Sequence, residues 1–157
     1  MGGMSVVDGV KTFFSSLPFE YNDGGRADAG YRGDAGDCVT RAISIAAEMP
    51  YQEVYDGLKE MAKRERPRKG SRRSSPRDGV GKATIVRYLE SLGWEFWPTM
   101  AIGSGCTTHL REGELPMGNI ICSVSKHYVA VIGGTIHDTH DCSRGGMRCV
   151  YGYWKEP

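Results

Sequence analysis

The first two thirds of the chain carry apolar residues at helical spacing. Val39, Ala42, Ile43 and Ala46 fall on one face of a predicted helix that begins at Cys38, with Asp37 placed to cap its first turn. Proline and glycine mark the ends of such segments, because proline suits a first turn and glycine suits the residue after a last one. The pattern predicts a short helix or strand within residues 6–17, a Gly/Asp-rich loop over 21–37, and helices over 38–49, 50–64 and 82–92.

Residues 94–154 carry shorter apolar runs of the kind that form strands. Pro98 would place the first of them at a sheet edge, since proline cannot donate to a central ladder. Helices that precede strands indicate an α+β fold, with N-terminal helices packed on a C-terminal antiparallel sheet. A chain of 157 residues suits a single domain over residues 1–157. The predicted strands cover residues 94–100, 119–124, 127–132, 135–138 and 148–154.

Charge is distributed unevenly along the chain. The formal net charge is +1, which argues against a basic footprint over the whole molecule. Residues 63–82 nevertheless hold nine Lys/Arg and two Asp/Glu, and we predict a flexible basic insertion there. This segment could bind an acidic partner, phosphate or nucleic acid, or lie as a lid over a cleft between the helices. Its candidate binding residues are Arg68, Lys69, Arg72, Arg73 and Arg77.

The cysteine content bears on the cellular compartment. Five cysteines cannot all pair, and their positions (38, 106, 122, 142 and 149) match no compact disulfide framework. We therefore expect mostly reduced thiols and a cytoplasmic protein. No apolar run approaches the roughly 18 residues that a membrane-spanning helix needs, and no secretory signal is visible, so we expect no membrane partner.

The segment HYVAVIGGTIHD predicts a β-hairpin that carries ionisable side chains. Gly133 and Gly134 form a two-residue turn in which both positions need positive φ. Residue 132 then pairs with 135 and residue 131 with 136. Alternation places His127 and Asp138 on one face as diagonal neighbours, together with Val129, Val131 and Ile136. The carboxylate could therefore orient the imidazole.

Cys38 is a candidate nucleophile. A helix N-terminus presents unpaired N–H groups and a partial positive charge, both of which favour thiolate over thiol. A nearby imidazolium would lower the thiol pKa further. Cys38, His127 and Asp138 thus supply a nucleophile, a base and a group that orients the base.

These residues resemble the papain-like cysteine peptidase superfamily. Gly-Asp-Cys38 opens an apolar helix, and His127, an apolar strand, a turn and Asp138 follow in the order of that superfamily. The match is similar to compact bacterial and bacteriophage members, such as bacteriocin-processing peptidase domains. The resemblance implies a papain-like fold, hydrolysis of peptide or isopeptide bonds, a protein or peptide substrate and no cofactor. It departs at the position six residues before the cysteine, where Arg32 replaces the usual oxyanion-hole Gln. Arg32 or Asn22 would then be the donor.

Three other functions stay open at this point. The same triad performs acyl transfer and deamidation, because the site rather than the triad chooses the acceptor. A non-catalytic protein on a degenerate scaffold could bind a host factor or nucleic acid through the basic segment. A zinc site could use the pair Cys106 and His109, or the cluster His137, Asp138, His140 and Cys142, although neither group completes a known zinc pattern and we assign no metal.

Overall fold

The computed structural model describes residues 16–66, 69–70 and 72–157. The predicted element within residues 6–17 lies outside this part of the chain except for its last two residues, and Arg68 lies outside it as well. The helices are α1 (Cys38–Ala46), α2 (Tyr51–Ala62) and α3 (Lys82–Ser91). The strands are β1 (Phe19–Tyr21), β2 (Glu95–Pro98), β3 (Asn119–Val124), β4 (His127–Ile132), β5 (Thr135–Asp138) and β6 (Gly152–Lys155).

The three helices lie where the apolar pattern predicts them. Pro50 precedes the first residue of α2, and Gly93, with φ of +84°, follows the end of α3. The predicted side-chain cap of α1 is wrong. Asp37 occupies the N-cap position, but its side chain makes no capping hydrogen bond. The Asp37 carboxylate instead forms buried ion pairs with Arg26 and Arg41.

The α+β class is confirmed, but the sheet is not wholly antiparallel. Its strand order is β1-β5-β4-β3-β6-β2, and β1 pairs with β5 in parallel. Sequence reasoning missed β1 because its three residues are all exposed and carry no buried face. The strand that contains Pro98 lies at the opposite edge of the sheet, as predicted. The last strand begins at Gly152, four residues later than expected.

The β4–β5 hairpin has the predicted register. Ile132 pairs with Thr135 and Val131 with Ile136, across a turn in which both glycines have positive φ. Val129, Val131 and Ile136 are buried together on the face of the sheet away from the helices. The hairpin therefore fixes His127 at the beginning of β4 and Asp138 at the end of β5, at the same end of the sheet.

Two apolar clusters lie on opposite faces of the sheet. On one face, residues of α1, α2 and α3 form one buried cluster with Ile121, Ala130 and Trp154, and α1 lies against the strands. On the other face, residues from the connecting segments, such as Leu110, Cys142 and Val150, cover the strands. The helices cover only one face of the sheet. The long connections before β3 and after β5 are therefore needed to bury the other face.

The cysteines are not all reduced. Cys106 and Cys149 form a disulfide, and Cys38, Cys122 and Cys142 are free thiols. Three of the five thiols are thus free, as the expectation of mostly reduced cysteines has it, but the sequence did not indicate the one disulfide, because the fold brings together two residues 43 positions apart. Among the described residues, no helix combines the length and the apolar character needed to cross a bilayer.

Substitution of Gly57 tests the close approach of α2 and α3. A Cβ atom at Gly57 would lie 2.6 Å from a ring carbon of Tyr88. We expect Gly57→Ala to lower the free energy of unfolding by about 1–3 kcal/mol, although alanine is the better helix former, because overpacking outweighs propensity. Urea denaturation measures the change. In a Tyr88→Ala background the same substitution should become neutral or stabilising, and an equal loss in both backgrounds would contradict the steric explanation.

Candidate active site

An open cleft lies where the N-terminus of α1 meets the ends of the central strands. Its volume is about 700 Å³. One wall comes from residues 35–41, another from the β3–β4 turn and the start of β4, and a third from residues 78–80. Thr139 and His140, which follow β5, complete the lining. The cleft contains both Cys38 and His127.

The three predicted catalytic residues lie together. The His127 ring Nε2 lies 2.6 Å from an oxygen of Asp138. Cys38 is close enough to the ring for the imidazole to lower the pKa of its thiol, and Cys142 also interacts with the ring. Since Nε2 faces the carboxylate, Nδ1 is the ring nitrogen left for a thiol. The imidazole therefore lies between a thiol and a buried carboxylate, as a general base must.

The pKa directions favour a charged thiolate–imidazolium pair. Burial alone would raise the pKa of the Cys38 thiol, but the hydrogen bond and charge of His127, the Tyr128 backbone and the charge of Arg41 outweigh it, and the pKa is lowered. Burial alone would lower the pKa of His127, yet its hydrogen bonds, above all to Asp138, raise that pKa to about 11. Each group thus stabilises the charged form of the other.

A buried ion-pair network holds the Asp138 carboxylate. Arg41 lies one turn into α1, is 8% exposed, and donates to Asp138 at 3.2 Å and to Asp37. Asp37 is 1% exposed and also accepts from the Tyr51 hydroxyl at 2.6 Å and contacts Arg26 at 3.3 Å. The network ties the helix that carries the cysteine to the strand that carries the carboxylate.

Sequence reasoning missed Arg41 and the role of Asp37 in this network. The available signal was an arginine four residues after an aspartate, a spacing that brings the two side chains together at the start of a helix. Charged residues are rarely buried unless they are paired. The second partner, Asp138, is 97 residues from Arg41, so helical spacing could not identify it.

Residues 78–80, near the end of the basic segment, form a wall of the cleft. The Pro76 carbonyl accepts from Thr40 at 2.7 Å, and Arg77 donates to the Asp34 carbonyl at 3.3 Å. Glu65 accepts from the Ser74 backbone at 2.8 Å. These bonds attach residues 74–77 to α1, to the preceding loop and to the end of α2, so that residues 78–80 reach the cleft. Lys69, Arg72, Arg73 and Arg77 are exposed.

Neither predicted oxyanion donor reaches the cleft. Arg32 is exposed and does not line it. The Asn22 amide is occupied elsewhere, since its oxygen accepts from the Gly24 backbone at 2.9 Å and its nitrogen lies 3.2 Å from His137. Neither side chain is thus among those that line the cleft, and a role of either as oxyanion donor stays a prediction.

Within the described part of the chain, potential metal ligands occur in two places. His127, Asp138 and His140 have ligand atoms within 4.8 Å of one another. In the second place, Cys106 Sγ lies 3.5 Å from Nε2 of His109. His137 does not join the first group; it faces away from Asp138, as alternation predicts, and contacts Glu20 at 3.4 Å.

Comparison with known proteins adds no assignment. Neither protein-family models nor curated proteins nor solved structures give a significant match to this chain. The site must therefore be interpreted from its own chemistry.

Proposed function

We propose that this protein is a cysteine-dependent hydrolase that cleaves a peptide, isopeptide or related amide bond on a papain-like scaffold. One observation carries the proposal: Nε2 of His127 lies 2.6 Å from Asp138, and the same imidazole lowers the pKa of Cys38, in a cleft open to solvent. A buried structural cysteine needs neither a charged imidazole nor an open cleft. The combination suits a nucleophile and its base.

The mechanism follows from the charge state of the pair. The Cys38 thiolate attacks the substrate carbonyl carbon, and the His127 imidazolium gives its proton to the leaving amine. A thioester then links the acyl group to Cys38. Water, deprotonated by His127, attacks this thioester, and the thiolate leaves. Asp138 accepts a hydrogen bond from Nε2 throughout and keeps the ring oriented.

Helix α1 contributes to stabilisation of the oxyanion. Cys38 is the first residue of the helix, so its backbone N–H is among those without a partner within the helix. Such a donor, fixed before the reaction, favours the negative charge that develops on the carbonyl oxygen. The positive end of the helix dipole acts in the same direction.

We further propose a protein or peptide substrate and a cytoplasmic site of action. The cleft has a volume of about 700 Å³ and is lined by Asp78 and Lys126, among others, which can contact a peptide backbone or side chain. Cys38 is a free thiol, as a thiolate mechanism in a reducing compartment requires. The disulfide between Cys106 and Cys149 is a bond that reducing compartments disfavour. The proposal of a cytoplasmic site therefore rests on Cys38 and not on the cysteines as a group.

Acylation by p-nitrophenyl acetate tests the proposal without a known substrate. Attack by Cys38 should release p-nitrophenolate in a burst and leave an acetyl group on that cysteine, which mass spectrometry of the digested protein locates. Cys38→Ala should abolish the burst. We expect Asp138→Asn to slow acylation by up to about 10⁴-fold, because the carboxylate that holds the histidine in its orientation and tautomer is lost. Acetylation distributed equally over the free cysteines would contradict a catalytic Cys38.

Acyl transfer and deamidation remain alternatives with the same triad. Partition of the acetyl-enzyme between water and a primary amine separates them. Acetate as the main product supports hydrolysis, whereas preferential formation of the N-acetyl amine supports transfer.

A non-catalytic binding protein is the second candidate. The absence of Arg32 and Asn22 from the cleft favours it, because an oxyanion donor beyond the backbone is then unassigned. The exposed Arg72 and Arg73 next to the cleft wall would bind an acidic host factor or nucleic acid. An unreactive Cys38, together with salt-sensitive binding that Arg72→Ala and Arg73→Ala weaken, would support this function instead.

A further inference from the structure

The disulfide lies beside a histidine that a carboxylate holds in place. Cys106 is exposed and Cys149 is half-buried. Nε2 of His109 lies 3.5 Å from Cys106 Sγ, and Nδ1 lies 3.1 Å from Glu114 Oε1. A carboxylate only accepts hydrogen bonds, so Nδ1 carries the ring proton and Nε2, on the side of the sulfur, has a free lone pair.

This arrangement has the chemistry of a zinc site. Zinc binds thiolate at about 2.3 Å and imidazole nitrogen at about 2.0–2.1 Å, so that tetrahedral ligands lie roughly 3.6 Å apart. The observed separation of 3.5 Å between sulfur and nitrogen agrees with that value. Metal-binding histidines usually donate their other ring N–H to a carboxylate, which is the place of Glu114 here.

The backbone keeps the candidate ligands together without the sulfur–sulfur bond. Thr108 accepts from the Val150 backbone at 2.8 Å, and Leu110 donates to the Arg148 carbonyl at 3.0 Å. His109 and Cys149 themselves form an isolated antiparallel bridge. His109 and Cys149 should therefore stay adjacent in the reduced protein, with Cys106 three residues before His109.

We propose that the reduced protein binds one Zn²⁺ through Cys106, Cys149 and His109, with Glu114 orienting the histidine and water as the fourth ligand. A small-molecule dithiol reduces the Cys106–Cys149 disulfide by two electrons. The dithiol is oxidised to its own disulfide, and Cys106 and Cys149 become thiols. Zn²⁺ then replaces the two thiol protons, which pass to solvent. The exposed side of Cys106 leaves room for the water. This site is independent of the cleft and of any activity there.

Cobalt(II) and zinc titrations of the full chain, reduced with a phosphine under argon, test the proposal. We expect one Co²⁺ per chain, with the visible bands of tetrahedral cobalt and a near-ultraviolet thiolate charge-transfer band, both lost when Zn²⁺ is added. Protein oxidised to the disulfide should show neither band. A reduced protein without these bands would overturn the proposal.

Variants assign the ligands. Glu114→Gln should weaken zinc binding by about 10–100-fold, the usual effect of removing an outer carboxylate. Cys106→Ser and His109→Gln should weaken it further, and Cys106→Ser should also reduce the charge-transfer band. Circular dichroism checks that each variant is folded, and Glu114→Gln, which removes no ligand, keeps the test valid if a ligand variant unfolds.

Matched controls separate this site from its neighbours. Glu112→Gln makes the same charge change two residues away and should leave zinc affinity unchanged. Cys38→Ser and His140→Ala remove possible ligands at the cleft and should also leave it unchanged. Tight binding that survives Cys106→Ser but is lost in Cys38→Ser or His140→Ala would overturn the proposal in favour of a metal in the cleft.

Discussion

Replacement of His127 by alanine should slow alkylation of Cys38 by iodoacetamide at pH 7 by at least about tenfold, since one pKa unit changes the thiolate fraction by that factor. Without the imidazolium, burial becomes the dominant influence on Cys38, and it raises the thiol pKa. The rate measured against pH should therefore show an apparent pKa below the ordinary thiol value in the wild type and above it in the variant. Mass spectrometry of the digested protein locates the adduct.

The control for this experiment is His137→Gln. His137 neighbours Asp138 in sequence but contacts Glu20 and Asn22, on the other side of the strand. Its replacement should leave the alkylation profile of Cys38 unchanged. If His127→Ala and His137→Gln give the same profile as the wild type, the Cys38–His127 pair is not activated and the hydrolase proposal fails.

Replacement of Arg41 by methionine should lower the free energy of unfolding at pH 7 by about 3–5 kcal/mol, the usual cost of breaking a buried ion pair. The change leaves the buried carboxylates of Asp37 and Asp138 without their shared cation. Urea denaturation measures it. Arg87→Met is the matched control, because Arg87 also lies on a helix but is exposed, and its replacement should change stability by less than about 0.5 kcal/mol.

The pH dependence of the stability difference between wild type and Arg41→Met shows whether lost charge or lost packing causes it. Burial alone would raise the pKa of Asp138, but the hydrogen bond and charge of His127, the Thr139 backbone and the charge of Arg41 outweigh it and hold the pKa below its ordinary value. A group with a depressed folded pKa stabilises the fold above its unfolded pKa and loses that contribution as pH falls through the folded value. The gap between wild type and Arg41→Met should therefore be largest near neutrality and narrow below about pH 4. A gap that is constant down to pH 3 would indicate lost packing rather than lost charge.

The hairpin illustrates what local sequence can predict. Two adjacent glycines define the turn, because few other residues adopt positive φ at both positions. Once the turn is placed, the period of two fixes the register, and the pairs 132/135 and 131/136 follow. The proximity of His127 and Asp138 could thus be derived before any tertiary contact was known. The helix that begins at Cys38 could be predicted from local sequence in the same way, because its apolar residues recur at helical spacing without a break.

The parallel strand β1 and the network around Arg41 lie beyond such reasoning. A three-residue exposed strand carries no periodic signal, and its pairing with β5 joins residues more than a hundred positions apart. Arg41 can be identified as a buried partner only when both carboxylates are in place. The error over Asp37 has the same origin, because a local cap and a long-range ion pair compete for one carboxylate.

The sequence by itself determined the helices, most strands, the hairpin register and the three residues of the candidate triad, since each depends on neighbours within a few positions or on a turn of known geometry. Only the tertiary structure decided which charged residues are buried together and which part of the basic segment lines the cleft. The disulfide between Cys106 and Cys149 was likewise visible only in the structure. Those contacts depend on how elements pack across the sheet, and packing joins residues whose separation along the chain carries no periodic pattern.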